Sequence, residues 1–215
     1  LGGTYFPPTP KLNRPGFPQV LEEAHQLVSK DSSLIGNKVE NVLEKIALQN
    51  KPVKPQGIES QQLIQDAVEI LKKRFDEEYG GFGAGMKFPE PMHYSLLLRH
   101  WAETGDEDAL HILDKSLTKM AEGGIFDQLG GGFHRYSTDR FWRVPHFEKM
   151  LYDNAQLIRL YALMYMISNN PQYKDVVLSV SDWMTNKMLS DQNLFYSAID
   201  ADTDQKEGGT YIWSK

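Results

Sequence analysis

The feature that most limits how this chain can fold is a repeat: Gly80-Gly81-Phe82 returns as Gly131-Gly132-Phe133, each time between two stretches of helical periodicity. Paired glycines permit positive φ and end helices, so one copy alone is ordinary turn chemistry. Two copies, followed by Phe88-Pro89 and by Val144-Pro145 and then by another helical stretch, mark an internal repeat of helical hairpins. The rest of the chain fits that pattern. Val20, Leu21, Ala24, Leu27 and Val28 recur at helical spacing, as do Val39, Val42, Leu43 and Ile46, and then Leu63, Ile64, Ala67, Val68, Leu71 and Phe75. A fourth helix is predicted over residues 91–103, with proline in its first turn, and a tight turn at Thr104-Gly105-Asp106 leads into a fifth that ends near Gly123-Gly124. Asp106 suits the N-cap of that fifth helix. A sixth helix is predicted over about residues 147–168, and Asn169-Asn170-Pro171 turns sharply into a seventh ending near Leu189. Residues 194–199 and 210–213 are short, aromatic and β-prone, which predicts a hairpin around residues 200–209. The expected fold class is mainly α with a short β-hairpin near the C-terminus.

Helices joined by short turns run antiparallel, so alternate connections emerge at opposite ends of the layer. The long connections, residues 76–89, 125–145 and 191–215, therefore share one end, and an active site is expected at that mouth.

Composition removes several functions. A length of 215 residues fits one sizeable domain, or one domain with a piece of another. The formal charge is −6 and no Lys/Arg block forms a phosphate footprint, so nucleic acid is not an expected partner. The most apolar stretch, residues 157–167, is interrupted by Arg159, so no membrane span is expected. The absence of cysteine excludes a disulfide framework, a dithiol motif and a thiolate nucleophile within these residues, and it fits a cytoplasmic protein. No cofactor is expected, because Tyr161, Met164, Tyr165 and Met166 read as helix packing. Asp200-Ala201-Asp202-Thr203-Asp204 imitates the opening of a calcium loop. Gln205 stands where glycine is required and Tyr211 where a bidentate Glu is required, which rejects an EF-hand and leaves a looser Ca²⁺ site or a sugar contact.

The densest chemistry lies in residues 130–148, which hold His, Arg, Asp and Glu among five aromatics. Sugars need that mixture: their C–H faces stack on aromatic rings and their hydroxyls take charged or amide partners. A small carbohydrate is therefore the expected substrate. Glycosidic cleavage needs two carboxyl groups, for which Asp127, Asp139, Glu148, Asp153, Asp200 and Asp202 are all placed to approach the mouth. Epimerisation or isomerisation needs a base near neutral pH, for which His134 and His146 are best placed. The candidate catalytic residues are His134, His146, Glu148, Asp200 and Asp202, and the candidate substrate-binding residues are Lys87, Phe133, Arg135, Tyr136 and Trp142. Structural roles compete with these. His146 at the start of the sixth helix can bond a loop carbonyl, Glu148 can complement the helix dipole, and Asp153-Asn154 are expected to brace the mouth loop.

Gly2-Gly3-Thr4-Tyr5-Phe6-Pro7, Gly80-Gly81-Phe82-Gly83 with Lys87-Phe88-Pro89, the run GGIFDQLGGGFHRYSTDRFWRVPHFEKMLYDNAQ from Gly123 to Gln156, and Phe195-Tyr196-Ser197-Ala198-Ile199-Asp200-Ala201-Asp202 resemble the YyaL-like, spermatogenesis-associated protein 20 family. The resemblance extends over nearly the whole chain. It implies a larger parent in which a thioredoxin-like domain precedes a six-hairpin α/α toroid similar to N-acylglucosamine 2-epimerases and glycosidases. Residues 1–16 would be the tail of the first domain and residues 17–215 a partial toroid. The family brings no agreed catalytic residues. A partial toroid exposes an open edge of helix surface, which predicts a homodimer through that edge or a rearrangement, and little turnover from the piece alone. The function so implied is that of a sugar epimerase, isomerase or glycoside hydrolase-like domain; the other reading is a non-catalytic scaffold beside the thioredoxin-like domain.

Overall fold

Helix boundaries follow the capping residues. In this computed structural model, residues 6–11, 14–30, 32–51, 57 and 60–212 are described. Gly2 to Tyr5 and Trp213, which carried parts of the family resemblance and of the expected hairpin, lie outside them. Two compact units divide the chain at residue 57. The first contains α1 (Phe17–Lys30) and α2 (Ser32–Gln49), whose apolar residues Leu21, Leu27, Val42, Leu43 and Ile46 are exposed.

The second unit, residues 58–215, contains the hairpins. α3 (Ser60–Arg74) is followed by α4 (Pro91–Thr104), which ends at Gly105 with φ +74°. Asp106 then caps α5 (Glu107–Glu122), its carboxylate accepting from the N–H groups of Asp108 and Ala109 at 3.1 and 3.3 Å. α6 (Leu151–Ser168) ends at Asn169 in the left-handed region, and Asn170 caps α7 (Pro171–Trp183), which widens into a π-helical turn at Met184–Met188. Leu97, Leu113, Leu117, Leu157, Tyr161 and Tyr173 from α4, α5, α6 and α7 are fully buried and form the centre of the core.

The expected repeat is visible in the backbone. Each long connection opens with the same loop, closed by a bridge between Phe75 and Phe82 in the first, Phe126 and Phe133 in the second, and Leu189 and Phe195 in the third. Phe82 stacks on Tyr94 of α4, and Phe133 stacks on Tyr161 of α6. The glycines are required here. Gly81 and Gly132 sit at φ +74° and +80°, and a Cβ at either would come within 2.5 Å of Trp142 or 2.6 Å of Trp183.

The sixth helix and the C-terminal hairpin differ from expectation. α6 starts at Leu151, four residues later than predicted, because residues 145–150 are extended: β2 (Pro145–His146) pairs antiparallel with β1 (Tyr136–Ser137), and β3 (Lys149–Met150) with β4 (Ala198–Ile199). Among the described residues, 194–199 therefore do not pair with 210–212. The tight hairpin is instead formed by β5 (Asp202–Thr203) and β6 (Lys206–Glu207). The pairings link the mouth loops in series, since Lys87 bridges Ser137 and Lys149 bridges Ile199.

Candidate active site at the mouth

The mouth is held by two equivalent buried ion pairs. In the first loop the Lys87 ammonium donates to the Asp76 carboxylate at 2.6 Å and to the Gly80 carbonyl at 2.5 Å, and it lies over the Trp142 ring. In the second, Lys149 donates to Asp127 and to the Gly131 carbonyl, each at 2.7 Å, and lies over the Trp183 ring. Asp76 also receives a two-pronged contact from Arg140 at 2.7 and 2.8 Å. Burial alone would raise the Asp76 carboxyl, but Arg140 and Lys87 outweigh it and hold it well below the ordinary carboxylate range. Asp127 is likewise held low, because Lys149 and the Gly130 N–H overcome the burial effect. The third loop has Ser190 in the equivalent place, so its turn closes without a buried charge.

These brackets settle where several expected site residues lie. Lys87, Phe133 and Trp142 were expected to touch substrate, but they are 1%, 0% and 0% exposed. Lys87 is an ion-pair partner, Phe133 is a packing ring, and the Trp142 indole N–H donates to the Tyr79 carbonyl at 3.0 Å. His134 is buried between the rings of Phe147 and Tyr211, with Nδ1 3.0 Å from the Phe147 carbonyl. Burial, with a smaller contribution from the Lys149 charge, lowers its pKa to about 4, so it is neutral at ordinary pH and too weak for the expected role of base. Beside it, Asp127, Lys149, Trp183, Lys187 and Tyr211 line an open cleft of about 470 Å³.

The six carboxyl candidates separate in the same way. Asp127 is used by Lys149. Asp139 accepts from the backbone N–H groups of Phe141, Arg143 and Val144, so it ties down its own loop. Asp200 and Asp202 are exposed on and beside the β5–β6 hairpin, and neither forms an ion pair with a described residue of the mouth. Among the described residues no group of three or more His, Asp or Glu is gathered as a metal ion would require.

Glu148 and Asp153 remain, and they share a neighbourhood with three other expected residues. Arg135 donates to Glu148 at 2.9 Å. Nδ1 of His146 is 3.9 Å from the same carboxylate, and Nε2 is 3.9 Å from Glu207 of β6. The His146 Nδ1 atom is buried and has no hydrogen-bond partner among the described residues. The His146 ring stacks on Tyr136 at 4.8 Å, and Tyr136 in turn lies 4.9 Å from the half-exposed Phe88, which makes an aromatic platform beside the charges. His146 and Glu148 lie in extended chain before α6, so their structural roles at a helix start do not apply.

Asp153 and Asn154 behave differently from one another. Asn154 braces the mouth as expected: its amide accepts from the Phe133 N–H at 2.6 Å and donates to the Phe133 carbonyl at 2.9 Å. Asp153, in the first turn of α6, is 7% exposed and its carboxyl has no hydrogen-bond or ion-pair partner among the described residues. Burial raises its pKa to about 6; Arg135 opposes the rise and Glu148 adds to it. Glu207 was missed from the sequence, and Asp153, named both as a carboxyl candidate and as a brace, does not brace the loop through any hydrogen bond to a described residue.

No family profile matches the chain. Over its whole length it is 35% identical to spermatogenesis-associated protein 20 of Homo sapiens and 36% identical to that of Mus musculus, and it spans 29% of the length of each. It is 31% identical to an uncharacterised Caenorhabditis elegans protein, again along its full length and 31% of that protein. Solved structures with the same fold include cellobiose 2-epimerase from Spirochaeta thermophila (TM-score 0.55, 14% identity, 65% of this chain and 40% of that one). A sugar epimerase from a ruminal bacterium matches with TM-score 0.53 and 17% identity over 69% of this chain and 43% of that one. A family 76 glycoside hydrolase from a bovine Bacteroides thetaiotaomicron strain matches with TM-score 0.52 and 14% identity, over 66% and 33%. At such identities the likeness is one of fold, and that fold is the α/α toroid. Among the described residues no helix is long and apolar enough to cross a membrane.

Proposed function

The chain is a relative of spermatogenesis-associated protein 20 and has the fold of part of an α/α toroid, and from that premise we propose that it carries the sugar-acting mouth of a carbohydrate-active domain. One observation carries this reading. His146, Glu148, Arg135 and Tyr136 converge beside an aromatic platform, and the buried Nδ1 of His146 is left without a partner. A sugar would lay its C–H face on Tyr136 and Phe88, and its hydroxyls would complete the hydrogen bonds of His146 and share those of Arg135 and Glu148. Polar groups that serve only to brace a loop are satisfied within it, as those of Asp139 and Asn154 are. The epimerases and the hydrolase that share the fold add weight to a carbohydrate substrate, although fold alone does not fix chemistry.

The scaffold reading is supported by a different observation: the buried charges of Asp76, Lys87, Asp127 and Lys149 all serve to hold loops together. The two readings separate in a thermal-shift and NMR screen of the full-length protein against monosaccharides, N-acyl sugars and short oligosaccharides. One sugar class should raise the melting temperature and shift resonances around residues 135–148, and His146→Ala or Glu148→Ala should abolish both responses. A folded protein that responds to no sugar would favour the scaffold.

A further inference from the structure

We infer that the open cleft beside His134 is a subsite for an acidic sugar, taking the carboxylate of a uronate residue against Lys187 while the sugar ring lies along Trp183 and Tyr211. This rests on the carbohydrate reading and names the class of glycan. The internal repeat isolates what is unusual about the cleft. At the first bracket, Arg140 closes over Asp76 with contacts of 2.7 and 2.8 Å, and the Trp142 indole N–H donates to the Tyr79 carbonyl at 3.0 Å. At the second, Trp183 stands over Lys149 and against Gly132 as Trp142 stands over Lys87 and against Gly81. Among the described residues, however, no arginine closes over Asp127, whose side chain is 13% exposed where that of Asp76 is 2%. The space is instead a cleft of about 470 Å³, and the indole N–H of Trp183 in its wall has no hydrogen bond to a described residue.

The groups around the cleft define its ligand. Asp127 is the one acid among the described lining residues, and Lys149 and the N–H groups of Leu129 and Gly130 already bond it. The charges of Lys149 and Asp127 therefore cancel. Lys187 is exposed on the π-helical turn, a distortion frequent where a helix serves a site, and it forms no ion pair with a described residue. The hydroxyls of Thr210 and Tyr211 are likewise unbonded among the described residues. The cleft thus offers one uncompensated positive charge and several free donors, in a chain whose formal charge is −6. That matches the single charge of a carboxylate, whereas a phosphate monoester carries about −1.5 to −2 at neutral pH. Trp183, Tyr211 and Ile199 wall the same space with rings and an apolar edge, on which the C–H groups of a sugar pack. The Tyr211 ring stacks on Phe147 at 5.4 Å, and Phe147 follows His146 in the chain, so the subsite adjoins the Tyr136–His146 platform.

The test is ¹⁹F NMR of the full-length protein labelled with 5-fluorotryptophan, the Trp183 resonance being the one that Trp183→Phe removes. The probes are glucuronate, galacturonate and mannuronate, their neutral hexoses, glucose 6-phosphate, acetate and inorganic phosphate. At least one uronate should shift the Trp183 resonance and bind about tenfold or more tightly than its hexose, because a hydrogen bond between charged groups separates the two. Lys187→Met should lose that preference with the urea midpoint unmoved, and Lys187→Arg should keep it. An unmoved Trp183 resonance, a uronate affinity indifferent to Lys187→Met, tighter binding of glucose 6-phosphate, or equal binding of acetate or inorganic phosphate would overturn the assignment. Binding of neutral sugars alone, felt around residues 135–148, would overturn it while leaving the carbohydrate reading intact; binding of no sugar at all would overturn the two together.

Discussion

The two brackets and the His146 cluster lie in adjacent stretches of chain and are both built from charged groups beside aromatic rings, yet they treat their polar atoms in opposite ways. In the brackets, Lys87 and Lys149 each find a carboxylate and a carbonyl, and Asp76 and Asp127 each accept from backbone N–H groups as well. In the cluster, His146 Nδ1 and the Asp153 carboxyl have no hydrogen-bond partner among the described residues. An unsatisfied buried polar atom destabilises a fold, so the bare His146 Nδ1 at the mouth is better explained by what it does than by what it holds. The satisfied brackets supply the rigidity that keeps the unsatisfied groups in position.

The sharpest way to break this contrast is to unpair a bracket. Replacing one member of a buried ion pair leaves an uncompensated charge and costs about 3–5 kcal/mol. Lys149→Met leaves Asp127 with backbone donors alone, whereas Lys87→Met leaves Asp76 with Arg140 still bonded at 2.7 and 2.8 Å. Urea denaturation should therefore show a loss in that range for Lys149→Met and a smaller one for Lys87→Met. Equal losses would mean that the Arg140 contact contributes little.

Substitution in the cluster should have the opposite sign. The Asp153 pKa is about 6 in the fold against an ordinary 3.8, so folding disfavours its charged form. That penalty is present in full above about pH 6, shrinks as the pH falls through the folded value, and vanishes below the unfolded one. Asp153→Asn should accordingly stabilise the protein by about 2 kcal/mol at pH 7.5 and leave it unchanged near pH 3.5, as read from urea midpoints at the two pH values. Destabilisation at pH 7.5 would make Asp153 a bracing residue like its neighbour Asn154.

The helices were legible in the sequence because they rest on local signals, whereas the toroid was implied by the family resemblance. Apolar spacing placed α3 through α7, and Asp106 and Asn170 marked two starts within a residue. The start of α6 was not, since the extended course of residues 145–150 is set by partners near residues 136 and 199 that local periodicity does not contain. The brackets were half legible. Phe75-Asp76 and Phe126-Asp127 precede the two Gly-Gly-Phe copies at the same offset, and extending the repeat backwards by five residues would have found both acids. Their lysines lie at different distances along the chain, so no repeat announces them. Asp153 and Asn154 were read as a pair because they are neighbours, but successive helical side chains point about 100° apart. Only Asn154 faces Phe133.

The smallest expected stability effect is also the finest probe of the contrast. The Arg135–Glu148 pair is 43% and 22% exposed, and ion pairs open to solvent contribute no more than about 1 kcal/mol. Arg135→Ala should therefore barely move the urea midpoint. Its charge, however, is what opposes the rise of the Asp153 pKa, so its removal should push that carboxyl above 6 in a ¹³C titration. A large stability loss with an unmoved Asp153 would place Arg135 with the brackets. A stable protein whose Asp153 titrates higher would mean that Arg135 acts on the charge of its neighbours rather than on the fold, and that retaining it at the mouth serves the chemistry there.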